Sequence, residues 1–300
     1  MSVMRPSLHH LLGGMPRSAF VVRSRAPLAF TVGGLQGQRL DLERGDGVAV
    51  RGFITGPPGA WSGLPAVLYC HAHGGRYEVG ADELLVGRPA LQPEPYAHAL
   101  ARQGVVALAI DLCCFGERAG ESENLVAKRH LWQGTTLFGD MLADLSGAFD
   151  LLAGWPGVDE GRIGAFGISM GATLAFWLAA LEPRLRSLAH LCCFADLGTL
   201  VRQNGHDRHG LYLTVPGLLA HWRTGEIAGC AAPRGQFAAM GACDPLTPPA
   251  AIALALQDVR AAYAAAGAGE RFEVLIDPAT GHVETLEMRH RTLRFFEATL

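Results

Sequence analysis

The chain has 300 residues, 49% of them hydrophobic and 18% charged, and a formal net charge of −3. That is enough apolar residue to bury one large core or two modest ones. The near-neutral charge and the lack of a long Lys/Arg run argue against nucleic acid or an anionic membrane surface as a partner, and no apolar run reaches the roughly 18 residues of a membrane span.

Residues 1–30 read as an N-terminal extension. Their one apolar patch, Leu8 to Leu12, is too brief for the apolar core of a secretory signal. From about Arg39 the pattern alternates. "VAVRGFITGPPG" (48–59) predicts a strand closed by a Pro-Gly turn. "AVLYCHAHGG" (66–75) predicts a buried strand running into a Gly-rich loop. "PEPYAHALARQG" (93–104) opens on Pro and closes on Gly, as a helix does. "VVALAID" (105–111) is a second buried strand. Between 135 and 153, Leu137, Met141, Leu145, Ala148, Phe149 and Leu152 share one helical face.

"RIGAFGIS" (162–169) is a third buried strand, and "MGATLAFWLAAL" (170–181) its helix. "SLAHLCCF" (187–194) and "GQFAAMGACD" (235–244) are further strands. A long helix follows over 249–267, a last strand over 271–277 and a terminal helix over 283–300. Continuously apolar strands alternating with helices predict an α/β protein with a mostly parallel, doubly wound sheet covered on both faces. Residues 31–300 then form one catalytic domain. The polar, His-rich stretch 195–234 is long for a connection and reads as a small cap or insertion.

Seven cysteines include the adjacent pairs Cys113-Cys114 and Cys192-Cys193. A disulfide between sequence neighbours is strained, so reduced thiols and a cytoplasmic location are expected.

The chemistry starts at Gly167-Ile168-Ser169-Met170-Gly171, on the seam between strand and helix. A serine hydroxyl attacks only when a base removes its proton. Presenting it takes a sharp turn, and the crowding there calls for small residues two before and two after. The helix N-terminus favours developing negative charge, and the Met170 N–H is one expected oxyanion donor. The loop in "YCHAHGG", at a strand end, supplies a second expected donor, from His73 or Gly74. Asp244 ends one strand and His282 follows the last. The order Ser169, Asp244, His282 fits a nucleophile, an orienting acid and a general base. Asp277 and Asp196 also follow strands and are rival acids. Such a triad needs no cofactor and no metal.

These motifs resemble the α/β-hydrolase superfamily, and most of all its branch with dienelactone hydrolase-like and acetyl xylan esterase-like members. The resemblance rests on His71-Ala72-His73-Gly74-Gly75, Asp111 with Phe115-Gly116-Glu117-Arg118, Val158 to Gly164, Gly167 to Gly171, Ala232-Pro233-Arg234, Asp244-Pro245 and Gly281-His282, and spans most of 45–300. It implies a sheet of about eight strands and ester hydrolysis through an acyl-enzyme, with short-acyl or acetyl esters favoured. The chain departs from it at Ala72 and Ala172, where many relatives have Gly. It carries Ser169 where dienelactone hydrolases carry Cys, which argues against that activity.

Arg118 is expected either at a substrate carboxylate or acyl oxygen, or in an ion pair that pins its loop. Tyr212 and Trp222 are candidates for a substrate pocket under the cap, or for packing of the cap on the domain. His206, Asp207, His209 and His221 are dense enough to raise a metal site, against a solvated or pocket-lining cap. The expected partner is a small-molecule ester, and the chain a monomer or homodimer. The rival functions are a serine peptidase, a thioesterase or lyase on the same triad, and a silent hydrolase fold used for binding.

Overall fold

The computed structural model describes residues 4–28 and 34–300. Its strands are β1 (Phe20–Pro27), β2 (Gln36–Arg44), β3 (Ala49–Gly56), β4 (Leu64–Cys70), β5 (Val106–Ile110), β6 (Val158–Ile168), β7 (Ser187–Leu191), β8 (Gly235–Gly241) and β9 (Phe272–Asp277). The helices are α1 (Met4–Leu11), α2 (Glu83–Val86), α3 (Tyr96–Arg102), α4 (Glu123–Trp132), α5 (Leu137–Ala153), α6 (Met170–Leu181), α7 (Leu197–Arg202), α8 (Leu218–His221), α9 (Thr224–Gly229), α10 (Pro249–Ala265) and α11 (Leu286–Thr299).

The strands form one sheet in the order β1-β2-β3-β5-β4-β6-β7-β8-β9. From β5 to β9 every neighbouring pair is parallel, while β1, β2 and β3 are joined to it antiparallel. The period of two along each strand sorts side chains to two cores. On β4, Ala66, Leu68 and Cys70 join the larger core with Phe138 and Phe149 of α5 and Trp177 of α6. Val67 and Tyr69 point the other way, to Tyr96 and Leu100 of α3 and Phe295 and Phe296 of α11. Helix α6 is apolar around nearly its whole circumference. Such a helix must be buried on all sides, and its first eleven residues are.

One expectation changes. The sheet starts inside the stretch set aside as an extension, because β1 pairs with β2 from Phe20–Arg44 to Pro27–Gln38. Residues 195–234 carry α7, α8 and α9, and Tyr212, Leu218, Trp222 and Ile227 join the larger core. Among the described residues no helix is long and apolar enough to cross a membrane.

Since β4, β6, β8 and β9 run parallel, the loops after their carboxyl ends gather on one edge of the sheet. Ligands bind at that edge in open α/β sheets.

Candidate active site

Ser169 stands between β6 and α6 at φ 57° and ψ −123°, a conformation L residues rarely adopt. Its N–H donates to the Leu191 carbonyl (2.9 Å), and its own carbonyl accepts from the Thr173 N–H (3.1 Å). The flanking glycines are required by contact. A Cβ on Gly171 would fall inside the Cys70 carbonyl, and one on Gly167 would run into the Gly171 backbone. The turn is therefore braced against the end of β4. Met170 is the first residue of α6, where a backbone N–H has no intrahelical acceptor.

His282 Nδ1 donates to Asp244 Oδ2 at 2.7 Å. The other oxygen of Asp244 accepts the Leu246 N–H at 2.8 Å. The Asp244 side chain is fully buried and that of His282 is 25% exposed. With Nδ1 committed to the carboxylate, Nε2 is the nitrogen left for proton exchange. The rival acids are occupied elsewhere. Asp196 caps α7 through the Thr199 N–H and hydroxyl (2.7 and 2.8 Å), and Asp277 accepts the Ala279 N–H (2.9 Å).

Ser169 and His282 line one cavity of about 380 Å³ together with Gly74. Its remaining walls come largely from 76–90: Arg76, Val79, Val86, Arg88, Pro89 and Ala90. No motif marks this segment, so its residues were not anticipated. A larger cavity of about 520 Å³ lies in the 195–234 region against Leu197, Leu213, Leu218, His206 and His209, and Ser169 is not among its walls. Among the described residues no three His, Cys, Asp or Glu side chains converge to hold a metal ion.

The His71–Gly75 loop turns at Gly74 (φ +55°) and Gly75 (φ +66°). His73 is not among the walls of the Ser169 cavity. Its Nδ1 accepts the Gly75 N–H (3.0 Å), so Nε2 carries the proton and donates to Glu123 Oε2 (2.6 Å). Burial pushes the Glu123 carboxyl up, but His73, the Tyr212 N–H and the Tyr77 hydroxyl outweigh it and hold it below the usual range. Beneath the loop, burial carries the Glu83 carboxyl above its usual range, against the pull of Arg88 and of donors from Ala72 and Tyr69.

Arg118, Tyr212 and Trp222, offered as pocket residues, do not line the Ser169 cavity. Arg118 Nη1 donates to Asp144 Oδ2 (2.6 Å) and to the Asp111 carbonyl (3.0 Å), so it pins its loop to α5. Tyr212 is buried beside His73 and Phe138 (ring centroids 5.6 and 6.1 Å). Trp222 is buried in the larger core. Both hold the 195–234 segment to the sheet domain.

A parallel sheet wound on both faces, with a serine in a strained strand-to-helix turn and an Asp–His pair on the same edge, is the architecture of an α/β-hydrolase, and the chain belongs to that family. It is 36% identical over 236 residues to "Putative hydrolase YtaP" of Bacillus subtilis (strain 168), covering 79% of each chain. No protein-family model matches the chain. Solved structures that share the fold include two esterases. One is a glucuronoyl esterase from Solibacter usitatus (TM-score 0.68, 17% identity, 98% of this chain and 91% of that one). The other is acetyl xylan esterase 1 from Thermoanaerobacterium sp. JW/SL YS485 (TM-score 0.65, 17% identity, 99% and 93%).

Proposed function

We propose that the chain hydrolyses small carboxylic esters through an acyl-enzyme, with one catalytic domain that takes in β1 and the rest of the sheet, and 195–234 as a cap. The observation that carries this is the pairing of His282 Nδ1 with the buried Asp244 carboxylate at 2.7 Å, on a histidine that shares a cavity with the strained Ser169. Ser169 Oγ attacks the ester carbonyl as His282 Nε2 takes its proton. The tetrahedral oxyanion rests on the Met170 N–H and a donor from His73 or Gly74. Collapse expels the alcohol, protonated by His282. Water, activated by the same nitrogen, then releases the acid. Asp244 fixes the tautomer and stabilises the imidazolium. A triad moves these protons without a metal or a cofactor.

A cavity of about 380 Å³ suits a short acyl group, and the esterases that share the fold support an ester as substrate. Seven cysteines with no disulfide among them support a reducing, cytoplasmic setting. The test is Ser169→Ala. It is expected to abolish both fluorophosphonate labelling and p-nitrophenyl acetate hydrolysis, and wild-type labelling in the variant would remove Ser169 from the mechanism.

A further inference from the structure

Both backbone polar groups of Ala72, at the mouth of β4, reach one buried ion pair, and its carbonyl also accepts from His71 Nδ1 (3.2 Å). Glu83 opens α2 and is fully buried. Its oxygens accept the Ala72 N–H (3.0 and 3.2 Å) and the Tyr69 hydroxyl (2.8 Å), and it pairs with Arg88. Arg88, whose side chain is 7% exposed, donates from Nη2 to the Ala72 carbonyl (3.0 Å). It also lies against Gly74, where a Cβ would strike Nη1. Taking two charges out of water is expensive, and a buried pair often adds little stability over apolar packing. Arg88 of this pair lines the Ser169 cavity, with Glu83 behind it.

The loop's remaining donors can be sorted. The Ala72 N–H is held by Glu83, the Gly75 N–H by His73 Nδ1 (3.0 Å) and the Arg76 N–H by the His73 carbonyl (3.0 Å). The N–H groups of His73 and Gly74 have no acceptor among the described residues. In a trans peptide the C=O and the following N–H point in opposite directions. Drawing the Ala72 carbonyl to Arg88 therefore turns the His73 N–H the other way.

We infer that the Glu83–Arg88 pair is a positioning device: it fixes the Ala72–His73 peptide and so presents the His73 N–H as the second oxyanion donor. The inference rests on the function proposed above. Without Arg88 the Ala72 carbonyl keeps only the longer bond from His71 Nδ1 (3.2 Å), and the peptide can turn over and aim that carbonyl at the developing oxyanion. The loss then falls on the transition state rather than on substrate binding.

The test compares wild type, Arg88→Gln, Arg88→Lys and Glu83→Gln for kcat and KM on p-nitrophenyl acetate, for affinity toward a boronic acid that forms a tetrahedral serine adduct, and for thermal midpoint. Losing one oxyanion donor costs about 10²–10³-fold in kcat. Misplacing one in Arg88→Gln is expected to cost about 10–100-fold, with KM little changed and boronate affinity falling in step. Arg88→Lys recovers part of the loss, since an ammonium still reaches Glu83 and the carbonyl. Wild-type kcat in folded Arg88→Gln, or a lost kcat with unchanged boronate affinity, overturns the inference alone. If Arg88→Gln does not fold, Glu83→Gln decides: Gln keeps an oxygen for Ala72 but releases Arg88, and wild-type kcat in that folded variant overturns the inference. Absence of ester turnover in the wild type overturns the function and the inference with it.

Discussion

Asp244 and His282 meet through a 2.7 Å bond although 38 positions separate them. The sheet accounts for the meeting. β8 and β9 are parallel neighbours, and their register sets Gly241 against Asp277 at the carboxyl ends. Asp244 is three residues past one end and His282 five past the other. Neither loop is long, so the pairing of the strands brings the two side chains together.

Asp244→Asn isolates what the carboxylate does. Asp244 accepts two hydrogen bonds, from the Leu246 N–H and from His282 Nδ1. An asparagine has one oxygen for both, and its NH₂ favours the wrong imidazole tautomer. The expected loss is about 10³–10⁴ in kcat, with little change in far-UV circular dichroism. Activity within tenfold of wild type would mean that another acid orients His282.

Gly171→Ala tests the bracing of the serine turn. The added Cβ lands on the Cys70 backbone carbonyl, which has no rotamer with which to give way. Overpacking of this kind costs about 1–3 kcal/mol, and here the displaced atoms carry Ser169, so kcat should fall as well. Gly120→Ala is the control, since no atom lies within 4 Å of its added Cβ. Its urea-unfolding midpoint should match wild type. Equal midpoints for the two variants would show that the turn tolerates a side chain.

The parts legible in the sequence were those whose signal is local. The strands β4 to β8 are apolar runs because both their faces are covered, and Gly167 and Gly171 mark the turn they brace. The hairpin β1–β2 gave no such signal. "QGQRLDLER" and "FVVRSRAP" are rich in charge, and only Leu40 and Leu42 on β2 are buried, as befits the edge of a sheet. Helix α4 carries no apolar stripe in the sequence, since only Glu123, Val126 and Ala127 are buried on it. Ser122, which caps it by accepting the Leu125 N–H, was the available sign. The cavity walls and the Glu83–Arg88 pair had no sign at all. Their partners at Tyr69 and Ala72 become neighbours only when the chain from 76 to 90 folds back over the end of β4.

His190 makes stability depend on pH away from the active site. It lies on β7, fully enclosed, with Phe176 and Phe194 at ring distances of 5.6 and 5.1 Å. The Gln236 amide lies 2.9 Å from His190 Nε2, beside the Tyr263 hydroxyl that donates to the Arg234 carbonyl (2.7 Å). Burial lowers the His190 pKa from 6.5 to about 3 and keeps the enclosed imidazole neutral. A lowered histidine means that the unfolded chain binds a proton before the folded one does. Stability from this group is present above about pH 6.5 and is lost as pH falls from there toward 3. One pKa unit is worth about 1.4 kcal/mol, so the wild type should lose roughly 2–3 kcal/mol more than His190→Leu between pH 6.5 and 4.5. Urea titrations at the two pH values read the difference directly. It cancels the carboxyl groups, which titrate alike in both proteins. Equal losses would mean that His190 is protonated, or reached by water, in the folded state.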